Sequence, residues 1–350
     1  MPKLFGNALT RQELMRRVGR ISQAAGIRRT MLLDGVEKGV ESIEIRSGSG
    51  FNIAVLPTRG MKVAHAEWRG APLAWVSPSA AAHPAHLSAH DDGGGLLASF
   101  GLQDVGPSTG GRGQLPRTPA KNITADARWE GSALLLAVQG LVRETGANGE
   151  QLTLMRRIAV RAGEHKMRVV DLIENTGYVD SPFMYMYRIH VGYPALDEGA
   201  ELILSARGAE PADDASEAGM NDRFRFTAPA AESVPQTFYY DAVADENRHV
   251  WAAVVNKRFN GGQGIGVYVR YHQTQFPNFI QLKRMGEGFY SAGMAPANCR
   301  AEGVEAERER GTLEYIEAGG RRHFETEIGV LTNQQQIGEF EERAARIRSL

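Results

Sequence analysis

Glu41-Ser42-Ile43-Glu44-Ile45-Arg46 is followed, past Gly48 and Gly50, by Phe51-Asn52-Ile53-Ala54-Val55-Leu56. In the first run Ile43 and Ile45 alternate with Ser42, Glu44 and Arg46, the two-residue period of a strand with one buried face. The second run continues the pattern, and the two glycines supply the turn between them. Working outward, strands are predicted over 132–142, 151–160, 165–175, 201–205, 249–256, 266–271 and 322–331, many separated by Gly, Asn, Asp or Pro. This is the rhythm of an antiparallel sandwich. No strand–helix–strand alternation appears, which argues against a doubly wound fold. The ends are helical. Thr10 and Glu13 have capping-box spacing ahead of a predicted helix over 12–25, which carries Leu14, Val18, Ile21 and Ala25 and stops at Gly26. A second helix is predicted over 335–347, with Ile337, Phe340 and Ala344 on one face. Two long loops are expected, over 77–119 and 208–232, and loops of that length in a compact domain tend to be functional. With no internal repeat and no linker, residues 1–350 read as one domain, mainly all-β: a large antiparallel β-sandwich with short N- and C-terminal helices.

Lys+Arg (40) and Asp+Glu (41) nearly cancel over the 350 residues. No net field therefore draws in nucleic acid or an acidic membrane. The one cysteine, Cys299, excludes an intrachain disulfide and fits a reducing compartment. In Ala297-Asn298-Cys299-Arg300 it reads as a small buried hydrophobe in preference to a nucleophile. No signal-peptide pattern opens the chain and no apolar run reaches membrane-span length, so a cytoplasmic monomer or homodimer is expected.

Motifs then narrow the reading. Leu56-Pro57-Thr58-Arg59-Gly60-Met61 comes first, and Trp68-Arg69-Gly70-Ala71-Pro72-Leu73-Ala74-Trp75 second. Phe100-Gly101-Leu102-Gln103-Asp104-Val105-Gly106 and Tyr187-Arg188-Ile189-His190-Val191-Gly192-Tyr193-Pro194-Ala195-Leu196-Asp197 follow. Gly293-Met294-Ala295-Pro296-Ala297-Asn298 closes the set. In this order the motifs resemble those of the bacterial aldose-1-epimerase-like proteins of largely unknown function, a branch of the galactose mutarotase superfamily. The resemblance runs from about Val18 to Leu331. It implies a sandwich whose concave face holds a sugar, with mutarotation as the ancestral activity and a Glu base and a His acid as its means.

Mutarotation needs two proton transfers, from the anomeric hydroxyl and to the ring oxygen. Carried over residue by residue, the resemblance puts the base at Ala295, which moves no proton. It puts the acid at Arg188, which holds its proton near neutrality. The family's His-Gly-Arg element falls on Arg112-Gly113-Gln114, its Asp after Arg-Gly-Met on Lys62, and the Asn of its Tyr-His-x-Asn element on His190. Polar positions have changed while Gly and Pro positions persist, the pattern of a repurposed pocket. His190 is then the acid/base candidate, since histidine titrates near neutrality. Strand alternation puts it on one face with Arg188 and Met186. The alternative for His190 is a hydrogen-bonded core histidine.

Arg59 and Arg112 offer carboxylate- or phosphate-binding forks. With Gln114, Asp104, His272 and Lys283 they make up the expected substrate-binding set. A groove enriched in cations suits a sugar acid or an enolate-forming substrate, whose developing oxyanion they would stabilise. No cofactor is required by the sequence. His83, His86 and His90, spaced three and four apart and followed by Asp91 and Asp92, are candidate ligands for a divalent metal. Against this, Pro84 and Gly93–Gly95 favour a solvated loop, and no nucleotide signature accompanies the Gly-rich stretches. The expected function is a carbohydrate-active isomerase, epimerase or lyase acting on a small sugar or sugar acid. The alternatives are a mutarotase with Glu287 or Asp104 as substitute base, and a non-catalytic sugar-binding protein.

Overall fold

The computed structural model describes residues 3–79, 81–87, 94–106, 113, 115–146 and 148–349. Among these, antiparallel strands build two large sheets, a smaller one and a two-stranded ribbon of Lys3–Leu4 and Asn7–Ala8. The first large sheet runs Glu201–Leu204, His249–Asn256, Ile265–His272, Arg321–Leu331, Lys166–Asn175, Gln151–Arg161, Ala133–Thr145, Lys121–Glu130. The second runs Ala206–Pro211, Gln236–Ala242, Asn278–Met285, Tyr290–Ala297, Ser181–Val191, Glu314–Ile316, with Ala98–Leu102 also paired to Ser181–Val191. The smaller sheet holds the hairpin that opens the sequence argument. There Ile45 faces Ile53, flanked by Gly26–Met31 on one side and Lys62–Trp68 and Ala71–Pro72 on the other.

The two large sheets stack because each buries one face against the other. Met167, Val169 and Ile173 of the first sheet share a core with Tyr185, Tyr187, Ile189, Val191, Tyr290 and Met294 of the second. The alternate residues of the second sheet do not meet water either. Met184 and Met186 pack on its outer face with Ala98, Phe100, Ile280, Ala295 and Ala297. Ser181–Val191 is thus covered on both sides.

Between the sheets lies a buried polar network. Arg156 and Asp171 are both fully buried. Arg156 Nε and Nη2 donate to the two carboxylate oxygens of Asp171 at 2.9 and 2.7 Å. Nη2 also reaches Tyr185 Oη at 2.7 Å and Ser99 Oγ at 2.5 Å. The hydroxyls of Tyr185 and Tyr187 both donate to Asp171 Oδ2. Burial first, and the adjacent carboxylate with it, pushes both tyrosine hydroxyls well above their ordinary pKa, so they remain donors. Ser99, Tyr185 and Tyr187 alternate along two strands with Ala98, Phe100, Arg188 and His190, so the network clamps those strands from beneath.

The helices differ from expectation at one end. The capping box forms, with Glu13 N donating to Thr10 Oγ1 at 3.2 Å and Thr10 N to Glu13 Oε2 at 2.8 Å. The helix, however, covers Arg11–Met15, followed by a turn and a short 3-10 segment at Ile21–Gln23. Leu14 is its one buried residue, too small an apolar stripe to hold a longer helix across Gly19. Gly26, expected as a stop, opens a strand. The C-terminal helix covers Gln334–Arg348, capped by Asn333, with Ile337, Phe340, Ala344 and Ile347 buried. The stretch predicted as a loop over 208–232 contains the end of Ala206–Pro211 and a helix, Asp214–Ala218, capped by Asp213. The stretch over 77–119 contains the strand Ala98–Leu102.

The first motif is a docking element. Ala120 N donates to Pro57 O at 2.9 Å and Gly60 N to Thr118 O at 3.1 Å. Gly60 has a φ of 62°, and a Cβ there would stand 2.3 Å from Leu115 O. Gly60→Ala is therefore expected to cost about 1–3 kcal/mol. Urea denaturation would check this, and an unchanged midpoint would contradict it.

Candidate active site

The outer face of Ser181–Val191 brings Arg188 and His190 side by side, 8% and 4% exposed. The Arg188 guanidinium lies over the Phe100 ring, 4.6 Å from its centroid. Its strand neighbours are small. Ala98 pairs with Arg188 on one side. On the other, the register that joins Met186 to Ala297 and Ile189 to Met294 puts Ala295 level with it. His190 faces Gly293. Small residues therefore flank both side chains within the sheet.

Two aromatic rings stand at the edge of this floor. Trp75 lies 6.2 Å from His190 and 5.3 Å from Phe289, centroid to centroid. Its backbone N donates to His190 O at 3.2 Å, and its Nε1 to Gly288 O at 3.3 Å. Gly192 permits the approach, since a Cβ there would stand 2.6 Å from Trp75 N. The hairpin tip between Met285 and Tyr290 is thereby tied to the segment that follows Ala71–Pro72.

The other expected site residues divide. Arg59 is buried and donates from Nε to Pro116 O at 3.1 Å and from Nη1 to Ala82 O at 2.8 Å, so it clasps two loops by their carbonyls. Asp104 Oδ1 accepts from Val304 N at 2.9 Å, at the start of the helix Val304–Arg310. Arg112, Gln114 and His90 lie outside the described residues. Gly113, between the first two, abuts the carbonyls of Gly101 and Asp104.

Two of the expected residues fall elsewhere. Lys283 projects from the inner face of its strand, where its Nζ donates to Asp222 O at 3.0 Å and lies over Phe226. Burial pushes its pKa down. Its strand neighbour Arg284 shares the groove face instead, opposite Ser291. Reading the alternation outward from Ala295 would have found both, had the strand been recognised. His272 belongs to the other sheet, where its Nδ1 meets Thr274 Oγ1 at 2.8 Å and its ring packs edge-on against His249. His83 caps the turn Pro84–His86, its Nδ1 accepting from Ala85 N at 3.3 Å, with the His86 ring 6.4 Å away. Among the described residues no three His, Cys, Asp or Glu side chains are grouped to hold a metal ion. Cys299 is buried, and burial pushes its thiol well up, away from thiolate chemistry. No helix among the described residues is long and apolar enough to cross a membrane.

The stacked antiparallel sheets have the galactose mutarotase-like fold. A crystal structure of a candidate aldose 1-epimerase from Klebsiella pneumoniae superposes with a TM-score of 0.84 at 22% identity, over 92% of this chain and 87% of that one. A galactose mutarotase-like protein from Clostridium acetobutylicum gives 0.62 at 10% identity, over 89% and 99%. The galactose 1-epimerase of Lactobacillus acidophilus gives 0.60 at 13%, over 89% and 100%. No curated protein matches by sequence. Residues 37–330 match the family described as "Domain of unknown function (DUF4432)", and the chain belongs to that family.

Proposed function

We propose that the chain is a carbohydrate-active isomerase, epimerase or lyase whose sugar or sugar acid lies over Arg188 and His190. The observation that carries this is the register. The positions at which the resemblance expects an acid and a base, 188 and 295, meet on one floor as Arg and Ala. In this reading the site keeps its place while its proton-transfer pair is replaced. His190, one strand alternation away, is the group able to move a proton near neutral pH. Arg188 binds a carboxylate or steadies an enolate. No cofactor enters this reading, and a reducing, cytoplasmic setting accords with the lone buried Cys299.

Proton exchange in D2O tests it. With hexoses and hexuronates as substrates, deuterium entering a C–H position marks epimerase or lyase chemistry. Accelerated anomer exchange without it marks mutarotation, and binding without either marks a sugar-binding protein. One observation favours mutarotation as the second reading. Glu287 sits at the hairpin tip beside Gly288, whose carbonyl holds Trp75 Nε1. It is the better of the two substitute bases, because Asp104 is engaged by Val304 N.

A further inference from the structure

A second groove, of about 420 Å³, opens on the far side of the segment that leads from Ala71–Pro72 to Trp75. Tyr193, 66% exposed, is its aromatic wall. Asp197, Asn256, Arg258, Phe259 and Asn260 complete it. Both sides are held from behind. Asn256 Nδ2 donates to Pro194 O at 2.8 Å, while its Oδ1 accepts from Arg258 N at 3.0 Å. Gln334 Nε2, on the C-terminal helix, donates to Lys257 O and Gly262 O at 2.7 and 2.9 Å. That loop carries Asn260 in the left-handed region, φ 49° and ψ 54°. A non-glycine residue held there reflects a conformation imposed by its surroundings.

The groove is therefore rigid, yet its polar ends are unspent. Among the described residues the Tyr193 hydroxyl and the Arg258 guanidinium have no protein partner. Asp197 Oδ1 accepts from Glu198 N, which leaves its Oδ2, and Asn260 Nδ2 donates to Gln263 Oε1, which leaves its single amide oxygen. An exposed aromatic ring next to one cation, one anion and an amide carbonyl suits a molecule with an apolar C–H face and a rim of hydroxyls. The lining charges, Asp197 and Arg258, cancel, so a neutral ligand is favoured over an acid.

We propose that this groove binds a neutral pyranoside, stacked on Tyr193 with its hydroxyls on Arg258 and Asp197. It is distinct from the floor at Arg188 and His190 and does not depend on the chemistry assigned there. The test is 19F NMR of the full-length protein carrying 3-fluorotyrosine, with the Tyr193 resonance identified by its loss in Tyr193→Phe. Methyl β-D-glucopyranoside and methyl β-D-galactopyranoside are expected to shift it saturably. Arg258→Ala should weaken that binding about ten- to a hundredfold, as loss of hydrogen bonds from a charged donor. His190→Ala should leave it unchanged, which separates this site from the proposed active site. Tyr193 and Arg258 are exposed while His190 is buried, and thermal melts should confirm that all three variants stay folded. No saturable shift, an equal affinity in Arg258→Ala, or tighter binding of glucuronate than of the glycosides would each overturn the proposal.

Discussion

Replacing Asp171 with alanine is expected to destabilise the protein by about 3–5 kcal/mol, because Arg156 would stay charged and unpaired between the sheets. Both side chains are fully buried, and the carboxylate collects bonds from the guanidinium and from two tyrosine hydroxyls. Removing it strands three donors at once. The loss should be felt beyond the core, since Ser99 and Tyr187 lie on the strands whose outer residues form the groove floor. Urea denaturation measures the cost. A melt within 1 kcal/mol of wild type, on the order of an ordinary surface substitution, would show that the network does not hold the sheets together.

His190→Ala is expected to lower turnover by about 10²- to 10⁴-fold, the usual loss when a positioned acid or base is removed. The residue is buried against Gly293 and Trp75, so the variant must first be shown to melt as a folded protein. The rate of deuterium incorporation into substrate is the readout. Lys283→Met and His272→Ala serve as controls and should retain turnover, because their side chains leave the groove by way of the opposite face and the other sheet. Full activity in His190→Ala would move the chemistry off this residue.

The contrast between these histidines and lysines shows where the sequence was legible. Several strands away from the face of Arg188 and His190 could be read almost to the residue, although Lys121–Glu130 was missed altogether. Glu41–Arg46 and His249–Asn256 have their predicted bounds, and Gln151–Arg161 and Arg321–Leu331 differ by one. Most of them set a buried face against a wetter one over at least part of their length, and that contrast is the period-two signal. The strands that form the groove have no such contrast. Every residue of Ser181–Val191 except Pro182 is buried, and Tyr290–Ala297 is buried throughout. Tyr290–Ala297 also spends Gly293 and Pro296 on positions where strand propensity is low. A site floor needs small residues and two covered faces, and both erase the pattern by which strands are found.

Motif order carried the groove where periodicity could not. It brought Arg188, His190 and Ala295 to the same floor. It could not say on which face Lys283 lies, because a shift of one residue reverses every side chain of a strand. Arg284 and Ser291 were overlooked for the same reason. Arg59 was misread differently. An arginine beside a glycine in a shared motif suggests a ligand fork, but here its donors go to the carbonyls of Pro116 and Ala82. Buried carbonyls at loop crossings need partners as much as ligands do.

The face at Arg188 and His190 as the ligand site is the claim on which the proposed function depends. Titration calorimetry of D-glucuronate and D-glucose, with wild type and Arg188→Met, tests it most directly. Glucuronate should bind wild type more tightly than glucose, and the preference should vanish in Arg188→Met while the melt stays that of a folded protein. Equal affinities in wild type, or a preference that survives the substitution, would contradict it.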